Sequence, residues 1–271
     1  MITPEAFFDL FLKELEGTPE LRTYYKILNN PKSFAFRKAH FLQRLQFVNR
    51  VMQNKNDRIW DVGCGYATTA IFLALNGYCV YGSTLEFYFK EIEKRLKYWN
   101  QFGDVSTFKY GYENLFDMQI QPASYDVIIV QDTLHHLEPL TDAIGIFNKV
   151  LSEKGRIVVS EVNGNNIFER LKFYKQRGNK RIIEIYDDKL KKNILFGNEN
   201  VRPMKVWERE FTKQHFIIDK SSLQYIRLFP PQVIKNENFD RVLQREQSLW
   251  RKNDFLKEYF FFGINFIAKK N

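Results

Sequence analysis

The chain has 271 residues, 44% of them apolar and 16% aromatic. That is enough for one large α/β domain, or for one domain with an insertion, and it excludes a generally disordered polymer. Lys and Arg (41) outnumber Asp and Glu (32) to give a formal charge of +9, which favours anionic partners and says nothing about fold.

Two cysteines, Cys64 and Cys79, make no disulfide framework, and four histidines in unrelated contexts give no ligand spacing, so no metal is expected. No basic-then-apolar leader opens the chain and no apolar run reaches the length of a membrane span. The cytoplasm is the expected compartment.

Residues 1–54 read as a helical cap. Thr3-Pro4-Glu5 is an N-cap with proline at the first helical position. Phe7, Phe8, Phe11, Leu12 and Leu15 follow at helical spacing, and a second pattern runs from Ser33 through Phe36, Phe41, Leu45, Val48 and Val51. Most of these aromatics are expected in the core, and the segment can also lie over a binding cleft. From 55 to 162 strands and helices alternate. Strands are predicted at Ile59–Val62, Cys79–Tyr81, Val105–Tyr110, Tyr125–Val130 and Arg156–Ser160, with Cys79 as a small core residue. Helices fill 68–76, 86–99 and 141–151. Near-continuous Val/Ile strands between helices imply a parallel sheet covered on both faces, with its strand ends at one ligand-binding edge.

Residues 163–205 break that rhythm. They carry eleven Lys and Arg against five Asp and Glu, most of the surplus positive charge, and read as a basic helical insertion or lid. Residues 206–271 complete the sheet: a helix over 206–214 with Trp207 in the core, a strand over 223–228, a long amphipathic helix over 238–255, and a last strand over 260–268.

The stretch Asp61-Val62-Gly63-Cys64-Gly65-Tyr66-Ala67 is a strand end, a glycine turn and a helix start, which lets backbone N–H groups approach a ligand. It lacks the third glycine of a nicotinamide fingerprint, where Thr68 stands. It resembles instead the acidic-x-Gly-x-Gly-x-Gly loop of class I S-adenosylmethionine-dependent methyltransferases, with Ala67 in the third glycine's place. Ser124 to Pro139, with Leu134-His135-His136-Leu137, resembles the fourth motif of that family, in which the strand ends at the methyl-transfer site. The resemblance covers about residues 55–162 well and the last strands more loosely. It implies a Rossmann-like, mostly parallel seven-stranded sheet with helices on both faces and an antiparallel last strand.

The resemblance also implies S-adenosyl-L-methionine as cofactor. Asp61, Gly63, Cys64 and Gly65 would hold its methionine portion. Thr84 stands where the family places a ribose-binding carboxylate, and Glu86, two residues on, is the alternative, with a helix-capping role for Glu86 equally open. Tyr112 and Glu113 would line the adenine, and Gln131 would face the cofactor or the reacting group. His135 and His136 are the candidate general bases, His136 ahead, because histidine titrates near neutral pH; one of the two can instead only fix the loop. The acceptor is expected to be a small molecule, anionic in one variant, methylated on oxygen or nitrogen. The tetrapeptide Asn-Pro-Pro-Tyr of nucleic-acid amino-methyltransferases is absent, so nucleic acid is not favoured, and the basic insertion could meet an acidic lipid head group at a membrane surface. The alternatives are a nucleic-acid or protein methyltransferase and a non-catalytic relative that binds a cofactor or a partner. Nothing in the sequence fixes the oligomeric state.

Overall fold

A computed structural model describes residues 1–85, 88–235 and 238–271. Three helices lead, α1 (Pro4–Gly17), α2 (Pro19–Tyr25) and α3 (Pro31–Val51), followed by β1 (Arg58–Val62), α4 (Thr68–Leu75), β2 (Cys79–Thr84) and α5 (Phe89–Trp99). Next come β3 (Phe108–Tyr112), β4 (Tyr125–Gln131), α6 (Leu140–Val150), β5 (Leu151–Val162) and α7 (Ile167–Arg177). The chain ends with β6 (Ile182–Asp187), β7 (Lys192–Gly197), α8 (Met204–Lys213), β8 (Phe216–Ile226), α9 (Phe239–Lys252), α10 (Asp254–Tyr259) and β9 (Gly263–Lys270).

Seven strands form one sheet in the order β3-β2-β1-β4-β5-β9-β8. The first five are parallel, and β9 runs antiparallel to both of its neighbours. The middles of the central strands, such as Val127–Val130 and Ile157–Val159, are continuously apolar because both faces are covered, and polar residues stand towards their ends. Ile59, Val127, Ile129 and Val158 pack against α1, α3 and α4, whereas Trp60, Ile128, Val130, Ile157 and Val159 pack against α6 and α8. Strand order reverses between β1 and β4, the switch point at which sheets of this kind open a crevice beyond their carboxyl ends.

The N-terminal helices are fastened to that crevice. Thr3 caps α1 by accepting from the Ala6 N–H at 3.1 Å. Further along, Glu14 and Arg95 form a buried ion pair at 2.6 Å, and Trp99 donates to the same carboxylate at 3.0 Å.

Three local expectations are corrected. The insertion is not all helical, since a two-stranded hairpin, β6–β7, follows α7; Ile183, Ile185, Ile194 and Phe196 alternate with polar or exposed neighbours along it. Cys79 opens β2 on the surface and is exposed. The helix expected over 238–255 stops at Lys252, because the Asn253 side chain accepts from the Leu256 N–H at 2.9 Å and caps a new helix. Trp207 is fully buried, as expected.

Candidate active site

The loop after β1 holds three left-handed residues at alternate positions: Gly63 (φ +67°), Gly65 (φ +54°) and Ala67 (φ +59°). Each glycine has its own reason. A Cβ on Gly63 would lie 2.3 Å from Thr133 Cγ2, so only hydrogen fits where this loop meets the turn after β4. Gly65 faces open space, with nothing within 4 Å of such a Cβ. Ala67 accepts the same backbone at a cost of about 1–2 kcal/mol. The loop is fixed by the Cys64 N–H donating to the Ser83 carbonyl at 3.0 Å and the Ala67 N–H to the Cys64 carbonyl at 2.7 Å.

Beyond the loop lies a cavity of about 720 Å³, framed by the ends of β1, β2 and β4, by α3, and by the insertion. Asp61, Gly63, Cys64, Gly65, Thr84, Glu113, Gln131, His135 and His136 all line it. Asp61 is only 2% exposed, and its carboxylate accepts no hydrogen bond from the described residues. Burial raises its pKa to about 7, against a smaller opposing pull from Arg44. Burial also pushes the Cys64 thiol well up, and the neighbouring Asp61 adds to this, so Cys64 is a wall of the loop and no nucleophile. Thr84 donates to the Leu85 carbonyl at 3.2 Å, Gln131 accepts from Thr69 at 2.6 Å, and Tyr81 donates its hydroxyl to Glu113. Tyr112 is not among the cavity's lining residues; its hydroxyl donates to Asp187 at 2.6 Å, at the end of the hairpin's first strand. Glu86 lies outside the described residues.

The two histidines differ in state. Glu161, at the end of β5, is almost fully buried and accepts the backbone N–H groups of Thr133, Leu134 and His135 at 3.1, 2.6 and 3.4 Å. Its other oxygen meets His135 Nδ1 at 2.5 Å. Burial alone would lower His135, but the charges of Glu161, Asp132 and Glu199 and the Glu161 hydrogen bond outweigh it and raise the pKa to about 9. His135 is therefore an imidazolium that locks the turn. His136 is lowered to about 4, first by burial and then by the positive His135 beside it. Its Nδ1 lies 2.7 Å from the Gly197 carbonyl, which can only accept, so Nδ1 carries the proton and Nε2 keeps its lone pair. Phe196 stacks on the ring at 4.5 Å. His135, His136 and Glu199 each offer a ligand atom within 4.8 Å of the others. The ion pairs of His135, at 2.5 Å to Glu161 and 3.7 Å to Glu199, already account for that trio's charge.

The sequence reading missed the cavity's far wall. Arg37, His40 and Arg44 line it from one face of α3, a spacing of three and four residues that was legible as a polar stripe, and Arg227 joins them from the end of β8 with no local signal. Tyr24, Tyr66 and Tyr88 meet edge to face over the glycine loop at centroid distances of 4.9 to 5.6 Å. No helix among the described residues is long and apolar enough to cross a membrane.

Residues 60–159 match the family model described as a methyltransferase domain. The fold is similar to that of a candidate S-adenosylmethionine-dependent methyltransferase from Listeria monocytogenes, at 17% identity and a TM-score of 0.56, with 86% of this chain and 98% of that one covered. A methyltransferase of the same dependence from Methanosarcina mazei is 16% identical at a TM-score of 0.51, with coverage of 82% and 96%. Phosphoethanolamine N-methyltransferase 2 from Haemonchus contortus, solved with S-adenosyl-L-methionine, is 15% identical at a TM-score of 0.57; 91% of this chain and 60% of that one are covered. No curated protein matches the chain. Residues 60–159 thus match a methyltransferase domain, and the chain as a whole shares its fold with solved S-adenosylmethionine-dependent methyltransferases.

Proposed function

We propose that the chain transfers a methyl group from S-adenosylmethionine to an oxygen or nitrogen of a small-molecule acceptor, with His136 as the base. The observation that carries this reading is the Asp61 carboxylate, buried without a partner among the described residues beside a glycine loop that leaves open space above Gly65. A buried carboxylate that makes no ion pair is unfavourable, with only Arg44 acting on it from further off, and a ligand bearing an ammonium and a sulfonium supplies the closer charge. The residues present therefore fit the cofactor. When bound, it supplies an electrophilic methyl group on sulfur.

The chain's own residues do the rest. Gly63 and Gly65 keep side chains out of the ligand's path. Thr69 fixes Gln131 at the strand end, so that one amide group is aimed into the cavity at a set angle. His135, held by Glu161, sets the turn, and His136 Nε2 accepts the acceptor's proton. A base with a pKa near 4 suits an acceptor that becomes acidic only as its new bond to carbon forms. Phe36, Phe196 and Phe262 line the same space and exclude water.

Calorimetry with S-adenosylmethionine and S-adenosylhomocysteine is the first test. Both are expected to bind, and failure of both sinks the reading. His136→Gln is then expected to leave their affinities within a factor of about two while the transfer rate falls at least a hundredfold, the lower end of general-base effects. An unchanged rate would remove His136 from the chemistry.

A further inference from the structure

Four cationic side chains line the cavity away from the glycine loop, and two of them are already neutralised. Arg44 pairs with Asp132 at 2.5 Å and Lys172 with Glu169 at 2.9 Å. Arg37 and Arg227 have no carboxylate partner among the described residues. Arg37 makes one long hydrogen bond, donating to the Tyr25 carbonyl at 3.3 Å, and its Nε is buried without a partner. The Arg227 guanidinium lies beside the rings of Phe36 and Phe262, 5.4 and 5.6 Å from their centroids, and its Nε is also unpartnered. His40, one turn after Arg37 on α3, presents an Nδ1 in the same condition.

Buried polar atoms without partners are rare, and each of these three residues, all of which line one cavity, carries one, so a shared polar ligand is called for. Two guanidinium groups held by aromatic stacking and by a helix are pre-organised for an oxyanion, since each offers paired N–H donors in fixed geometry. We propose that Arg37, His40 and Arg227 form the subsite for an anionic group, a carboxylate or a phosphate, on the methyl acceptor. This rests on the reading of the cavity as a methyltransferase site.

Topology separates the Arg227 end of this subsite from the glycine loop. Gly63 and Gly65 follow β1, whereas Arg227 follows β8, four strands away across β4, β5 and β9. At about 4.8 Å per strand the two backbones stand roughly 19 Å apart, so Arg227 belongs to the acceptor's half of the crevice. The same arginines act on His40. Burial first, and then the charges of Arg227, Arg44 and Arg37, hold its pKa well below the ordinary value, so it enters as a neutral imidazole able to donate one hydrogen bond. Two of the insertion's surface cations are engaged elsewhere: Lys192 pairs with Asp117, and Lys189 lies over Phe89 and Tyr112.

The test titrates inorganic phosphate, and separately malonate, into protein saturated with S-adenosylhomocysteine, in chloride-free buffer. At least one is expected to bind, and the tighter one assigns the phosphate or the carboxylate class. Arg227→Met and Arg37→Met are each expected to weaken it at least tenfold while the S-adenosylhomocysteine affinity stays within twofold. Arg227→Lys, which keeps the charge, is the second variant should the first not fold; it is expected to retain part of the binding. The proposal is overturned if neither anion binds, if Arg227→Met and Arg37→Met bind the tighter anion as the wild type does, or if Arg227→Met weakens S-adenosylhomocysteine equally, which would place the guanidinium on the cofactor. Failure of S-adenosylhomocysteine to bind at all is a different result. It sinks the methyltransferase reading, and phosphate or malonate binding to the free protein and its loss in the variants then decide the subsite alone.

Discussion

Gly63 and Asp61 sit two residues apart and answer different questions. At Gly63 the issue is space, because the first atom of any side chain would collide with Thr133 at 2.3 Å, and the positive φ adds strain. Gly63→Val is expected to keep the sheet and lose S-adenosylmethionine binding by a hundredfold or more in calorimetry; a folded variant with wild-type affinity would place the cofactor elsewhere. At Asp61 the issue is charge. Its pKa of about 7 in the folded protein lies above its unfolded value near 3.9, so its contribution to stability is full below the unfolded value and is lost as pH rises through about 7. A cationic ligand favours the ionised form, so binding below pH 7 must release a proton. Affinity for S-adenosylmethionine is therefore expected to tighten as pH climbs from about 5.5 to about 7 and then to level off, and Asp61→Asn is expected to bind more weakly and without that slope. A slope that persists in Asp61→Asn assigns it to another group.

The turn after β4 and the β6–β7 hairpin behave as one unit. The His136 ring donates to the Gly197 carbonyl, Leu137 bridges to Phe196, and a Cβ on Gly197 would lie 2.0 Å from the His135 carbonyl oxygen. The unit is held from beneath by Glu161. The folded pKa of His135, about 9, exceeds its unfolded value near 6.5, so the stability it contributes is complete below about 6.5 and disappears as pH rises through about 9. A proton NMR titration is expected to show one imidazole titrating near 9, and Glu161→Gln to bring that resonance down by at least two pH units. If it does not move, Glu161 is not what charges His135. Little of this unit was legible in the sequence. Leu134-His135-His136-Leu137 announced a turn at the strand end, but which histidine would be charged depended on Glu161, 26 residues from His135, and on Gly197 from an insertion read as helical. The sheet was more legible, because an apolar run such as Val127 to Val130 is a local signal for burial on both faces. The Tyr112 hydroxyl is bonded to the hairpin's Asp187, 75 residues away in the chain, a contact that no local pattern announces.

Across the whole molecule, the N-terminal helices and the glycine loop are one mechanical body. Arg95 on α5 bonds both oxygens of Glu14 on α1, at 2.8 and 2.6 Å, and also donates to the Tyr66 carbonyl and, at 2.7 Å, to Thr68 Oγ1. Tyr25, at the end of α2, reaches the same Thr68 hydroxyl at 2.6 Å. Removing the cation alone would leave Glu14 buried, with Trp99 as its remaining partner, and breaking such a pair costs about 3–5 kcal/mol, against a total stability of roughly 5–15 kcal/mol. Arg95→Met is therefore expected to lower the melting temperature by about 10 °C, at roughly 2–4 °C per kcal/mol for a chain of this size. It should also weaken S-adenosylmethionine binding, because the Tyr66 and Thr68 anchors of the loop go with it. The double variant Glu14→Met, Arg95→Met removes the stranded charge and is expected to recover a large part of the stability and little of the affinity, since the loop anchors stay lost. A double variant no more stable than Arg95→Met would mean that the pair acts through packing alone. Affinity recovering together with stability would mean that the loop does not need Arg95 to hold its shape.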